Sequence, residues 1–185
     1  MTQLGACLLL VAAAAVLLTG LRLAANAYNE PGRQIFRGLR KVLQGEIHAF
    51  VIDYGGGRGV GFNFNNMMMA TTWDAGAWCL PYRVEELLGV ELVIDERVEG
   101  WAFAKGQLWA ADAEATADKQ VTLRHLFDDP HHPHFVLELW SAGREADEAI
   151  PDARTAVDKG NRWLEGMAAL MTTVRKRRLE IDQAA

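Results

Sequence analysis

Cysteine and proline are scarce in this chain, which holds two of the first and five of the second among 185 residues. Cys7 lies in an apolar N-terminal run and Cys79 far downstream, so no disulfide framework is available within the body of the chain. Folding there has to rest on a hydrophobic core. A basic surplus is missing as well: the net charge is −5, and residues 51–150 carry seventeen acidic side chains against seven basic ones. That balance argues against nucleic-acid binding, which needs a concentrated basic face to displace counterions. Internal repeats, a Gly-Lys-Ser/Thr phosphate loop and helices alternating with strands are also absent, which excludes repeat arrays, P-loop chemistry and a parallel α/β sheet. Beyond residue 27 there is no long apolar run, so a polytopic membrane protein is excluded.

What is present begins with residues 1–21, none of them charged. The run 4–21 has 18 residues and as a helix spans about 27 Å, close to the hydrocarbon thickness of a bilayer. Residues 1–27 therefore read as a transmembrane anchor. The competing reading is a signal peptide, since Ala25-Asn26-Ala27 has the small-x-small form of a cleavage site and would leave a chain starting at Tyr28. Against cleavage stand the uncharged Met1-Thr2-Gln3 and an apolar stretch longer than the usual signal core. Nothing basic precedes the segment, whereas Arg22, Arg33, Arg37, Arg40 and Lys41 follow it. The positive-inside rule then places the C-terminal domain in the cytoplasm, on a single pass through the inner membrane.

Residues 28–45 form a basic juxtamembrane stretch. Ile35, Phe36, Leu39, Val42 and Leu43 recur at helical spacing among Arg33, Arg37, Arg40 and Lys41. Two partners are open to such a stripe: an anionic membrane surface, or the protein's own domain.

From residue 46 the period becomes strand-like. Stretches 48–54, 60–64, 67–73, 77–82, 91–98, 120–127 and 135–140 read as about seven strands, with Trp101-Ala102-Phe103 continuing the fifth. Gly55-Gly56-Gly57-Arg58-Gly59, Asn65-Asn66 and Asp74-Ala75-Gly76 are turn signals. Pro81 suggests an edge strand or an early strand end, and residues 84–88 a single helical turn or an irregular connection. Residues 104–118 read as a long loop with an isolated Trp109. After Ser141 the pattern is helical, starting at Pro151-Asp152, with Val157, Trp163, Leu164, Met167, Leu170, Met171 and Val174 on one face. Gly160 weakens this helix, and Arg175-Lys176-Arg177-Arg178 closes it, leaving 181–185 as a tail. Strands followed by one long helix give an α+β class, with residues 46–180 as one domain.

The strings HAFVIDYGGGRGVGFNFN, WCLPYRVEELLGVELVID and VTLRHLFDDPHHPHFVLELW, followed by a Trp-bearing helix, resemble small, uncharacterised bacterial membrane-anchored proteins with a pleckstrin-homology-like domain. The likeness spans residues 45–179. It implies an antiparallel β-sandwich or split barrel, with two roughly orthogonal sheets capped by the C-terminal helix, used mostly for binding or scaffolding rather than catalysis. Members that bind phosphoinositides present a basic pocket; the acidic β region here departs from that pattern.

Few residues suggest chemistry. Asp128, Asp129, His131, His132 and His134, with His125 nearby, contain metal-ligand types, but one short turn rarely aims three ligands at one ion, and Pro130 and Pro133 fit a hairpin. Cys79 sits in an apolar Trp78-Cys79-Leu80 context typical of an inert core thiol. Glu85/Glu86 and Asp95/Glu96, adjacent on strands, face opposite ways and read as solvated edge charges. Alternation sends Met68 to the face opposite Met67 and Met69. No catalytic, cofactor or metal site is expected. The expected function is a non-enzymatic, membrane-tethered module that holds a protein partner; the alternative is a cleaved periplasmic β-domain binding a small ligand.

Overall fold

The computed structural model describes residues 31–53, 55–104, 106–112, 114–143 and 152–184. The expected anchor, residues 1–27, lies outside them, and among the described residues no helix is long and apolar enough to cross a membrane. Pro31 opens helix α1 (Pro31–Val42), where a missing N–H is tolerated because the first turn has no partner for it. The left-handed Gln44 (φ 56°) and Gly45 then turn the chain into a four-stranded antiparallel sheet of consecutive hairpins, β1 (Ala49–Ile52), β2 (Gly59–Asn63), β3 (Met68–Trp73) and β4 (Trp78–Arg83). Pro81 lies on β4, an edge strand, as its missing N–H requires.

A 3-10 turn (Val84–Glu86) leads into the second antiparallel sheet, whose order is β7-β6-β5-β8-β9. Its strands are β5 (Leu87–Ile94), β6 (Arg97–Phe103), β7 (Gln107–Trp109), β8 (Gln120–Phe127) and β9 (His134–Ser141). Helix α2 (Ala153–Ala184) follows; the Asp152 carboxylate accepts the Thr155 N–H at 2.7 Å as its N-cap. The described chain is thus α+β, two antiparallel sheets and a C-terminal helix. Val60, Phe62, Met69 and Tyr82 of the first sheet share one core with Val90, Leu92, Leu123 and Leu137 of the second and with Val157, Leu164 and Met167 of α2. Tyr82 and Phe127 stack across the sheets at 4.1 Å.

All five residues of β2 are buried, because it is covered on both faces. Val60 and Phe62 point into the main core. Gly59 and Gly61 lie under α1: a Cβ on Gly59 would come within 2.8 Å of Ile35 Cγ2, and one on Gly61 within 3.0 Å of Leu39 Cδ1. Ile35, Leu39 and Leu43 fill that space and are fully buried with Ala70, while Val42 and Met68 pack at the margin. Of the two partners open to the α1 stripe, the protein's own sheet is the one that takes it. Met68 and Met69 part to opposite faces as alternation requires.

Several expectations need correction. The strand read through 91–98 turns at Asp95-Glu96, both left-handed (φ 47° and 72°), so that Ile94 pairs with Arg97. This two-residue turn contains neither Gly nor Asn, so the alternation seemed to run straight through it. The Asp95 carboxylate offsets the strain by accepting the N–H groups of Asp118, Lys119 and Gln120 at 2.8–2.9 Å. Residues 104–118 are not all loop: β7 pairs with β6, and Trp109 stacks on Trp101 at 5.7 Å. Gly160 is a seat rather than a weakness, since a Cβ there would lie 2.5 Å from Leu92 Cδ1. The run 175–178 does not close α2, which continues through Ala184.

Candidate functional site

The feature that stands out is the outward side of α1. At about 100° per residue, Phe36, Arg40, Arg33, Arg37 and Lys41 follow one another around an arc of about 140°, opposite the buried stripe. All five are exposed. No acidic residue occurs between 31 and 45. At one margin Phe36 meets Phe50 of the edge strand β1 edge-to-face, with ring centroids 5.7 Å apart, and Phe50 remains 50% exposed. At the other margin Gly38 and Gly76 bring α1 against the turn at 74–77, because a Cβ on either would meet backbone at 2.7 Å. A shallow groove of about 350 Å³ runs along that seam, lined by Gln34, Arg37 and Lys41.

A second uncovered surface is the face of the β7-β6-β5-β8-β9 sheet turned away from α2. Register places Trp109, Trp101, Glu91, Arg124 and Val136 in one row across it. Trp109 is 59% exposed, and an ion pair between Arg124 and Glu91 (Nη2 to Oε2, 2.5 Å) occupies the middle of the row. Sequence reasoning missed this row. Its signal was the placing of Trp101 and Trp109 on either side of a short turn that holds Gly106, whose positive φ a tight hairpin needs.

The residues singled out for chemistry have structural duties. Asp129 accepts the His131 N–H at 2.8 Å, the main reason its carboxyl sits below the usual range, and its Oδ2 lies 3.5 Å from His132 Nδ1. Tyr82 donates to the same carboxylate at 3.4 Å; burial first, then this negative charge, pushes the phenol up to about 12. No three His, Cys, Asp or Glu side chains among the described residues are grouped to hold a metal ion. His125 is separate from the histidine turn. It is fully buried, its Nε2 accepts the Trp163 indole N–H at 3.0 Å, and its Nδ1 has no partner in hydrogen-bonding geometry. Burial drives its pKa down to about 3, against an opposing pull from the Phe135 backbone.

The glycine loop is a hairpin connection whose Asp53 carboxylate accepts the N–H groups of Gly57 and Arg58. Arg58 reaches the Val136 carbonyl at 3.4 Å, bridging the two sheets beside a polar cleft of about 470 Å³. The Cys79 thiol donates weakly to the Gly76 carbonyl beneath Gly38, so it packs the α1 seam. Glu86 caps its 3-10 turn through the Arg83 N–H, and Glu85 lines an apolar cleft of about 220 Å³ with Leu87, Met171 and Arg175. Asp95 serves as the loop staple described above. Set against protein-family models, curated proteins and solved structures, the chain matches none.

Proposed function

We propose that this protein is a non-enzymatic, membrane-tethered binding module with a pleckstrin-homology-like domain, presented at the cytoplasmic face of the inner membrane to a protein partner. One observation carries the reading. Because Ile35, Leu39 and Leu43 are buried on the first sheet, α1 belongs to the domain, and only residues 28–30 separate it from the apolar segment that ends at Ala27. A tether that short holds a folded domain at the bilayer surface rather than letting it roam. The fold-level likeness is supported by two antiparallel sheets sharing one core with a C-terminal helix. The non-enzymatic reading draws support from Asp95, Asp129 and Asp152, each engaged on backbone N–H groups, and from His125 sealed behind Trp163. Small-ligand binding has weaker support: the apolar cleft is about 220 Å³, below the roughly 300 Å³ at which ligand pockets usually begin. The larger cleft between the sheets, about 470 Å³, is lined mainly by polar groups, among them Asp53, Arg58, Gln120 and Glu138, rather than by the apolar walls such pockets usually have.

The test is membrane fractionation with protease accessibility. The intact chain should remain with membranes through an alkaline wash, and its domain should be digested only after the inner membrane is opened. A chain recovered from the periplasm and starting at Tyr28 overturns the reading.

A further inference from the structure

We infer that the outward arc of α1, with Phe36 and Phe50 at its margin, is the face this protein lays on an anionic bilayer. The inference rests on the tethered reading and adds to it an orientation and a lipid class. Charge is stratified through the layers of the fold. Residues 31–45 carry four basic side chains and no acidic one. Residues 46–83, which form the sheet beneath α1, carry two basic and three acidic side chains. Residues 84–143, which form the second sheet and its loops, carry four basic and twelve acidic, a net of −8. Residues 144–185, which include α2, carry eight of each and sum to zero. The positive surplus therefore lies on α1 and the negative surplus on the second sheet, so a negatively charged surface attracts the first and repels the second.

The occupant is identified by chemistry and reach. Exposed aromatic rings beside Arg and Lys make up the composition of the headgroup boundary, where rings enter the acyl margin and cations meet phosphates. Phe36 and Phe50 sit at the edge of the arc, half-exposed and in mutual contact. From Leu21 to Pro31 the chain has ten steps and so reaches no more than about 36 Å fully extended. Within that radius the bilayer is the surface α1 meets first. Nucleic acid fits less well, since the strongly acidic remainder of the domain would repel its phosphates.

The experiment uses the intact chain with Cys7→Ser and Cys79→Ser, carrying an environment-sensitive nitrobenzoxadiazole label at Phe50→Cys or, for comparison, at Val98→Cys on the second sheet. The vesicles are phosphatidylcholine alone or mixed with phosphatidylglycerol. The label at 50 should brighten several-fold in the anionic vesicles and stay dim in neutral ones, while the label at 98 stays dim in both. High salt, or Arg40→Glu with Lys41→Glu, should remove most of the gain at 50. Equal responses at 50 and 98, or brightening indifferent to lipid charge and to charge reversal, overturn the inference. The tether is read separately by flotation after an alkaline wash. A chain that floats while residue 50 stays dark keeps the tether and overturns the face; one that washes off yet brightens at 50 on anionic vesicles overturns the tether and keeps the face.

Discussion

The two helices cover their sheets in opposite ways. α1 supplies bulk and the sheet supplies space: Ile35 and Leu39 settle over Gly59 and Gly61, and the interface is nearly all apolar. Under α2 the space is shared, with Gly160 of the helix receiving Leu92 and Gly100 of the sheet receiving Leu164. That second interface also carries polar cargo. Trp163 donates to His125, and Asn161 makes a two-way bond with the Ala111 backbone at 2.9 and 3.0 Å. An apolar interface is stable across pH and specified by shape; a mixed one gains directional contacts and becomes sensitive to protonation. Outside both lies the exposed face of the second sheet, where Trp101 stacks on Trp109 and Arg124 pairs with Glu91.

The contrast can be broken most directly at Leu39. Leu39→Ala should cost about 3 kcal/mol in urea unfolding, because a fully buried side chain is lost over a glycine that cannot fill the gap. On the α2 side the matching test is acid. His125 titrates near 6.5 when unfolded and near 3 when folded. Below pH 6.5 the unfolded chain therefore binds a proton that the folded one refuses, and stability falls as pH drops towards 3. Between pH 6.5 and 4 the loss should be on the order of 3 kcal/mol, and His125→Gln should flatten that part of the profile. An unchanged slope in the variant would assign the acid sensitivity elsewhere.

Asn161→Ala should cost about 2 kcal/mol, since it strands both the N–H and the carbonyl of Ala111. Hydrogen exchange at the Ala111 amide should quicken more than at amides under α1. The smallest effect is expected on the bare face, where Trp109→Ala removes a stacked but exposed ring and should cost about 1 kcal/mol. A loss there as large as that of Leu39→Ala would mean that Trp109 is covered in solution.

Much of the architecture was legible because it rests on local patterns. The hairpins at 55–59 and 128–133, the edge position of Pro81, the parting of Met68 from Met69 and the α2 face were all readable from period and turn residues. What stayed hidden depends on pairings distant in sequence. Gly59 and Gly61 alternate with Val60 and Phe62 as polar residues would on a one-sided strand, and nothing local says that a helix fills the gap. Asp95-Glu96 adopts left-handed backbone because three N–H groups 23 to 25 residues away bind the Asp95 carboxylate. Trp109 seemed isolated until β7 paired with β6. His125 sits three residues before the acidic start of the histidine turn, yet strand alternation sends it inward to Trp163.

The double covering of β2 has a kinetic consequence. Its neighbours on both edges are strands, its faces are α1 and the main core, and all five of its residues are buried. Its amides can exchange with solvent only when the layers separate together, so they should be among the slowest in the domain and report its global opening. The element next to the proposed tether, α1, is then one of the layers that must lift before this strand exchanges.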